Sequence, residues 1–206
     1  NGAERISDIV LSLRNFSRLD EVEIKAVNIH EGIEHSLLLL GSRIQSINVI
    51  KDYELEAMVE CLPGHLNQVF MYILSNAVDA LKDDTQHHDT CNLHPPSIHI
   101  ETQTIDSKDA LIRFTDNGPG IPEEVIHRIF EPFFTTKPVG QGTGLGLSLS
   151  YQIITEYHNG SLECHSNAEQ GTSFTIKIPL QQTRKSEKSP IGSKTSEVQL
   201  ITGPIS

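Results

Sequence analysis

Gly140-Gln141-Gly142-Thr143-Gly144-Leu145-Gly146-Leu147-Ser148 places a glycine at every second position and runs straight into a segment, about Leu145 to Tyr157, whose pattern predicts a helix. Backbone amides free of side chains, set at the positive end of a helix dipole, make a cradle for phosphate. A mobile linker is the plainer reading of so many glycines, but a linker seldom leads directly into a strongly amphipathic helix. The run is not a P-loop, because no Gly-Lys-Ser/Thr follows. Nor is it a dinucleotide fingerprint, since the glycines come late in the chain and no strand immediately precedes them.

Working upstream, Ile129-Phe130-Glu131-Pro132-Phe133-Phe134-Thr135-Thr136-Lys137 concentrates aromatics in a region that otherwise reads as loop. Exposed phenylalanines are unfavourable, so they should dock into the domain or close over a ligand as a lid. Lys137 would then reach terminal phosphates, although a solvated lysine is the commoner fate. Asp116-Asn117-Gly118-Pro119-Gly120-Ile121-Pro122 follows a predicted strand directly. Alone it is a tight turn. The acid at the strand end adds a carboxylate able to accept from an adenine amine, and the glycines let a flat ring approach the chain.

Residues 65–82 repeat apolar side chains every three or four positions, from Leu66 to Leu81, which predicts a helix. Asn76 interrupts its apolar face, with Asp79 and Ala80 one turn later. Burying an amide without partners is expensive, so Asn76 is either a satisfied structural residue or a ligand-binding one. An oxygen donor beside a phosphate cradle suits Mg²⁺.

Around these motifs the reading is coarser. Residues 4–19 place Ile6, Ile9, Val10, Leu13 and Phe16 at helical spacing, and so short a helix must pack on its own domain or on a second copy of itself. Asn28, with Glu31 after it, caps a second helix expected to run to about Ser46, with Ile33, Leu37, Leu40 and Ile44 facing the core. Asn48 to Leu55 and Ala57 to Cys61 read as a hairpin ended by Pro63 and Gly64. Asp83 to Pro96 reads as a polar loop. Ser97 to Thr104 and Ala110 to Thr115 read as adjacent antiparallel strands, and Ser161 to Ser166 with Thr172 to Pro179 as a final pair turning at Gln170-Gly171. Asn159-Gly160 supplies the stop after the 145–157 helix. Residues 181–206, rich in Ser, Lys, Thr and Pro, read as a flexible tail.

The 206 residues allow one domain with a small appendage. Sixteen Lys and Arg stand against 27 Asp and Glu, and a formal charge of -11 argues against nucleic-acid binding. Three cysteines without a CxxC pair argue against a disulfide framework and for a reducing, cytoplasmic setting. The apolar stretch Ile33 to Ile50 is too interrupted to span a membrane, and no signal peptide precedes it. The chain opens on Asn1 rather than Met, which predicts a longer parent whose membrane anchor, if any, lies outside this sequence. His87, His88, Asp89, Cys91 and His94 collect metal-ligand types, but their spacing fits no standard zinc pattern, and a polar excursion is the better reading.

Asn76-Ala77, the Asp116 to Pro122 run, the Phe130 to Lys137 segment and the glycine run occur in the order and spacing of the catalytic domain of sensor histidine kinases, and the resemblance covers about Ile29 to Leu180. That domain is a member of the Bergerat-fold ATPases, with gyrase-type, mismatch-repair and heat-shock-chaperone ATPases. The resemblance implies an α/β two-layer sandwich, a mixed, mostly antiparallel sheet covered on one face by helices, and binding of ATP with Mg²⁺. By position it implies Mg²⁺ at Asn76, adenine recognition by Asp116 with Gly118 and Gly120 shaping the pocket, and phosphate contacts from Gly142, Thr143, Gly144, Leu145 and Gly146 together with Lys137. Thr172 matches the family threonine that holds adenine through water. Residues 9–18 resemble the end of a dimerisation helix, so the implied division is 1–28 helix end and linker, 29–180 catalytic domain, 181–206 tail. The implied reaction is phosphoryl transfer from ATP to a histidine. The implied partners are a second copy through that helix and a response-regulator receiver domain.

Two departures stand out. The family's second Asn, one turn before Asn76, is Tyr72 here. The phosphoacceptor motif, a His followed by an acid and then Asn-Pro, occurs nowhere in the sequence; His30-Glu31-Gly32 lacks the Asn-Pro and follows the dimerisation segment. Two alternatives therefore remain: a catalytically silent ATP-binding module, and a gyrase-like or mismatch-repair-like hydrolase, in which a glutamate would occupy the position of Tyr72.

Overall fold

The computed structural model describes residues 23–87, 95–138, 142–167 and 170–182. The expected helix at 4–19, the metal-ligand types at 88–94 and the expected tail beyond 182 lie outside the described residues.

A five-stranded sheet organises the domain, in the order β2-β4-β5-β7-β6: β2 is Asn48–Tyr53, β4 Ser97–Ile105, β5 Asp109–Asp116, β6 Ser161–Asn167 and β7 Gly171–Pro179. β2 runs parallel to β4 and every other neighbour is antiparallel. One face carries Ile98, Ile100, Ile112, Phe114, Phe174 and Ile176, all buried, as alternation along strands requires. Helices α1 (Ile29–Leu40) and α2 (Pro63–His87) and the shorter α4 (Gly146–Gln152) belong to the layer packed there; Phe70 of α2 meets Phe114 with ring centroids 5.7 Å apart. The other face is polar and cross-linked by Arg113–Glu101 and Lys177–Asp109 ion pairs. This is the two-layer α/β sandwich.

The expected hairpin of 48–55 with 57–61 does not form. β2 pairs with β4, while β3 (Val59–Cys61) pairs antiparallel with β1 (Lys25–Val27) in a separate two-stranded sheet. Local alternation identified the strands but carried no information about partners far along the chain, and Leu55, 3% exposed, docks into the core where a hairpin turn would need solvent. Pro63, expected to end an element, is the first residue of α2, where its missing N–H is no loss. Helix α2 also continues to His87, taking in the first residues of the expected polar loop, since no Gly or Pro interrupts Asp83 to Gln86.

Asn28 caps α1 by accepting from the His30 amide at 3.0 Å. The helix stops at Leu40 and not near Ser46, because Gly41 takes a φ of 52° and a 3-10 turn, Gly41–Arg43, follows. Helix α4 passes into a π turn, Ile153–Tyr157, ended by Asn159 at φ 52°. The wider turn fits His158, which is fully buried: its Nδ1 donates to Ile153 O at 2.9 Å and its Nε2 accepts from the Leu62 amide at 3.1 Å. A carbonyl can only accept and an amide only donate, so these two partners fix a single neutral tautomer. Burial holds its pKa below the usual histidine value.

Candidate nucleotide site

A cavity of about 890 Å³ opens between α2, the ends of β5 and β7, and the segment leading to α4. At one end Asp116 closes β5, 5% exposed. Its Oδ1 accepts from the Gly118 amide at 3.0 Å, and the Thr172 backbone also bonds to the carboxylate. Burial nevertheless dominates and pushes its pKa up to about 6. Beside it Thr172 is buried, its hydroxyl 2.9 Å from Ser166 Oγ.

At the other end the glycine segment reaches α4. Gly144 has φ 66°, and a Cβ there would overlap the backbone of Phe133, so at this point the loop and the aromatic segment meet main chain to main chain. Gly146, the first residue of α4, lies against the Tyr72 ring. Between the two ends α2 contributes Asn76 and Asp79 to the wall.

The aromatic segment covers the cavity's flank. Short helix α3 (Glu123–Ile126) leads into it. Ile129 is buried, Phe130 packs on Tyr151 with centroids 5.3 Å apart, and Phe134 lines the cavity with the Arg128 guanidinium 4.5 Å over its ring. Phe133 docks on nothing comparable and is 74% exposed. Lys137 Nζ donates to Asp79 Oδ2 at 2.6 Å, tying the segment to α2.

Of the residues marked out by sequence, Asn76, Asp116, Gly120, Lys137, Gly142, Thr143, Gly144, Gly146 and Thr172 all border this one cavity. Gly118 stands behind the wall, where its amide fixes Asp116, and Leu145 has its amide on Thr143 Oγ1 at 3.4 Å. Arg43 and Ser75 border the cavity too and escaped the sequence reading. Ser75 offered a weak signal, one residue from Asn76, whereas Arg43 sits on the turn that ends α1 and reaches the wall only through the fold.

A buried acid at one end, a glycine cradle at a helix start at the other, and room between them define a nucleotide-binding α/β domain. Comparison with known proteins is more specific. The chain belongs to the family of histidine kinase-, DNA gyrase B- and HSP90-like ATPases, whose family model matches residues 61–182. It is similar to sensor kinase CckA of Brucella abortus, 30% identical over 97% of this chain and 22% of the relative. It is also similar to sporulation kinase E of Bacillus subtilis, 29% identical over 90% of this chain and 24% of the relative. The chain thus spans about a quarter of these curated relatives. Among solved structures, the nucleotide-free catalytic domain of histidine kinase ThkA aligns with a TM-score of 0.63 at 29% identity, covering 76% of this chain and 97% of that one. ThkA in complex with the response regulator TrrA aligns with a TM-score of 0.66 at 26% identity, over 88% of this chain and 49% of that one. Among the described residues no helix is long and apolar enough to cross a membrane.

Proposed function

We propose that this chain is the ATP-binding catalytic part of a protein-histidine kinase, which positions the γ-phosphate of ATP for transfer to a histidine on a dimerisation helix. The observation that carries this reading is the single cavity bordered at one end by the buried Asp116 carboxylate and at the other by Gly142 to Gly146. Asp116 accepts from the adenine amine, with Thr172 beside it. The glycine amides and Lys137 take the phosphates.

The donor set fits Mg²⁺. The Asn76 side chain borders the cavity and makes no hydrogen bond to another described side chain, while the Asp79 carboxylate is committed to Arg43 and Lys137. That leaves one neutral oxygen, which suits an ion that keeps phosphate oxygens and waters as its other ligands. Bound there, Mg²⁺ would neutralise charge on the β- and γ-phosphates.

In the transfer the imidazole nitrogen forms a bond to the γ-phosphorus, the bond to the bridging oxygen breaks, and ADP leaves with that electron pair. A base next to the acceptor takes the imidazole proton. Both come from a segment carrying the His, acid and Asn-Pro motif that this sequence lacks. The protein's part is positioning, which accounts for effective concentrations on the order of 10⁵ M or more. The phosphohistidine is the donor for a receiver-domain aspartate, a partner suggested by the regulator complex of ThkA. The dimerisation helix pairs two copies, and the reaction runs in the cytoplasm.

The test is incubation with γ-labelled ATP, with and without a dimerisation domain bearing the acceptor. Acid-labile label on the added domain, abolished by Asn76→Ala, is expected. Acid-stable label on the chain itself would indicate serine or threonine kinase chemistry. ATP binding without transfer to any acceptor would favour the silent module, and steady phosphate release without an acceptor the hydrolase.

A further inference from the structure

Arg43 and Asp79 have no role in any motif of the site, yet both border its cavity. The 3-10 turn after α1 brings Arg43 across to α2, where its Nη2 donates to Asp79 Oδ1 at 2.6 Å and its Nη1 to Ser75 Oγ at 3.2 Å. The other oxygen of Asp79 accepts from Lys137 at 2.6 Å. One carboxylate on a rigid helix therefore holds two cations that arrive from separate and less regular segments.

An acid in the half of the cavity that faces the glycine loop repels phosphate if it stands alone. Flanked by an arginine and a lysine it becomes the centre of a group with net positive charge. Each cation spends only part of its donors on Asp79 and Ser75, and the rest stay available to a ligand. Both side chains are long and lose much rotamer freedom when fixed, so a carboxylate that fixes them beforehand reduces what ligand binding must overcome. A guanidinium also presents paired donors that match two phosphate oxygens, which an ammonium cannot do.

We propose that Arg43 is a second cation for the terminal phosphates, and that Asp79 is a positioning residue that holds Arg43 and Lys137 in place for them. This rests on the nucleotide reading of the cavity and adds to it a further element that separates a triphosphate from a monophosphate. AMP keeps the adenine and one phosphate, and so measures the base end of the site without the contacts to the terminal phosphates.

Calorimetric titration of the 206-residue chain with ATP and with AMP tests it, alongside thermal melts. Arg43→Gln should weaken ATP binding about tenfold, the loss of a charge-assisted contact, while AMP affinity moves less than about twofold. Arg43→Lys, which keeps the charge, should recover part of the loss and serves if the glutamine variant melts early. Asp79→Asn should also weaken ATP binding, although it removes a negative charge. Equal losses for ATP and AMP, or no loss for either, would overturn the role of Arg43. Tighter ATP binding by Asp79→Asn would overturn the positioning role and make Asp79 a competitor of the phosphates. If the unsubstituted chain binds neither nucleotide, the reading of the cavity fails and this inference with it.

Discussion

The ring of Tyr72 lies on the first residue of α4: a Cβ built on Gly146 would come within 3.1 Å of its Cδ1. Tyr72 stands where the family resemblance leads one to expect an asparagine, and its hydroxyl accepts from Gln68 Nε2 at 3.1 Å, which steadies the ring one helical turn away. The ring thus helps to set the height of the helix start that carries the last glycine of the cradle.

Gly146→Ala should accordingly push the ring and the helix start apart and weaken ATP binding. In a Tyr72→Asn background the same change should matter less, because the shorter side chain leaves room for the methyl. A double-mutant cycle read by ATP affinity checks this, with coupling of about 1 kcal/mol expected for groups in contact. Additive losses would mean that the two residues do not press on each other.

Asp116 gives a pH dependence with a definite sign. Its folded pKa is raised to about 6, and the ionised carboxylate accepts from an adenine amine more strongly than the protonated acid does. Affinity should hold above about pH 6 and fall below it, with proton release on binding near that pH. Adenosine is the ligand to use, since it lacks phosphates that titrate in the same range. Asp116→Asn should flatten the profile and weaken binding throughout; an unchanged profile would mean that Asp116 does not contact the base.

His158 acts on stability, and in the same pH sense. Its folded pKa lies below the unfolded value of 6.5, so below 6.5 the unfolded chain takes up a proton that the fold resists. The stability tied to its neutral form is complete above pH 6.5 and is lost as the pH falls below it. His30 and His65 are also lowered, by burial first, and add to the same trend. His158→Ala should destabilise the domain by about 3 kcal/mol, through a cavity and two stranded backbone groups, and should flatten the acid limb of the melting temperature. A melting profile unchanged in both height and slope would show that the imidazole is not the link between the π turn and β3.

Much of this architecture was legible in the residues because the determining signals are local. The apolar repeat from Leu66 to Leu81 needed only helical periodicity, and the pairing of β4 with β5 only alternation across a short turn. The candidate cavity was legible for the same reason: its glycines, Asp116 and Asn76, which border it together, each stand out against a few neighbouring positions. Partner choice over long separations was not. β2 lies parallel to a strand that follows it only after α2, and no feature of residues 48–53 names that partner. Arg43 was invisible likewise, because an arginine in a turn gains its role only when Asp79, 36 residues later, is folded beside it.

The small sheet of β1 and β3 has a consequence for how the domain is mounted. β1 brings the chain in along one three-residue strand, and the way out meets its partner strand β3, where the Glu60 amide donates to Leu180 O at 2.8 Å and the Gln182 amide to Glu60 Oε2 at 2.9 Å. Entrance and exit are thus fastened to one small sheet. A pull on either is delivered to that sheet, none of whose residues borders the nucleotide cavity, so the load bypasses the cavity's walls.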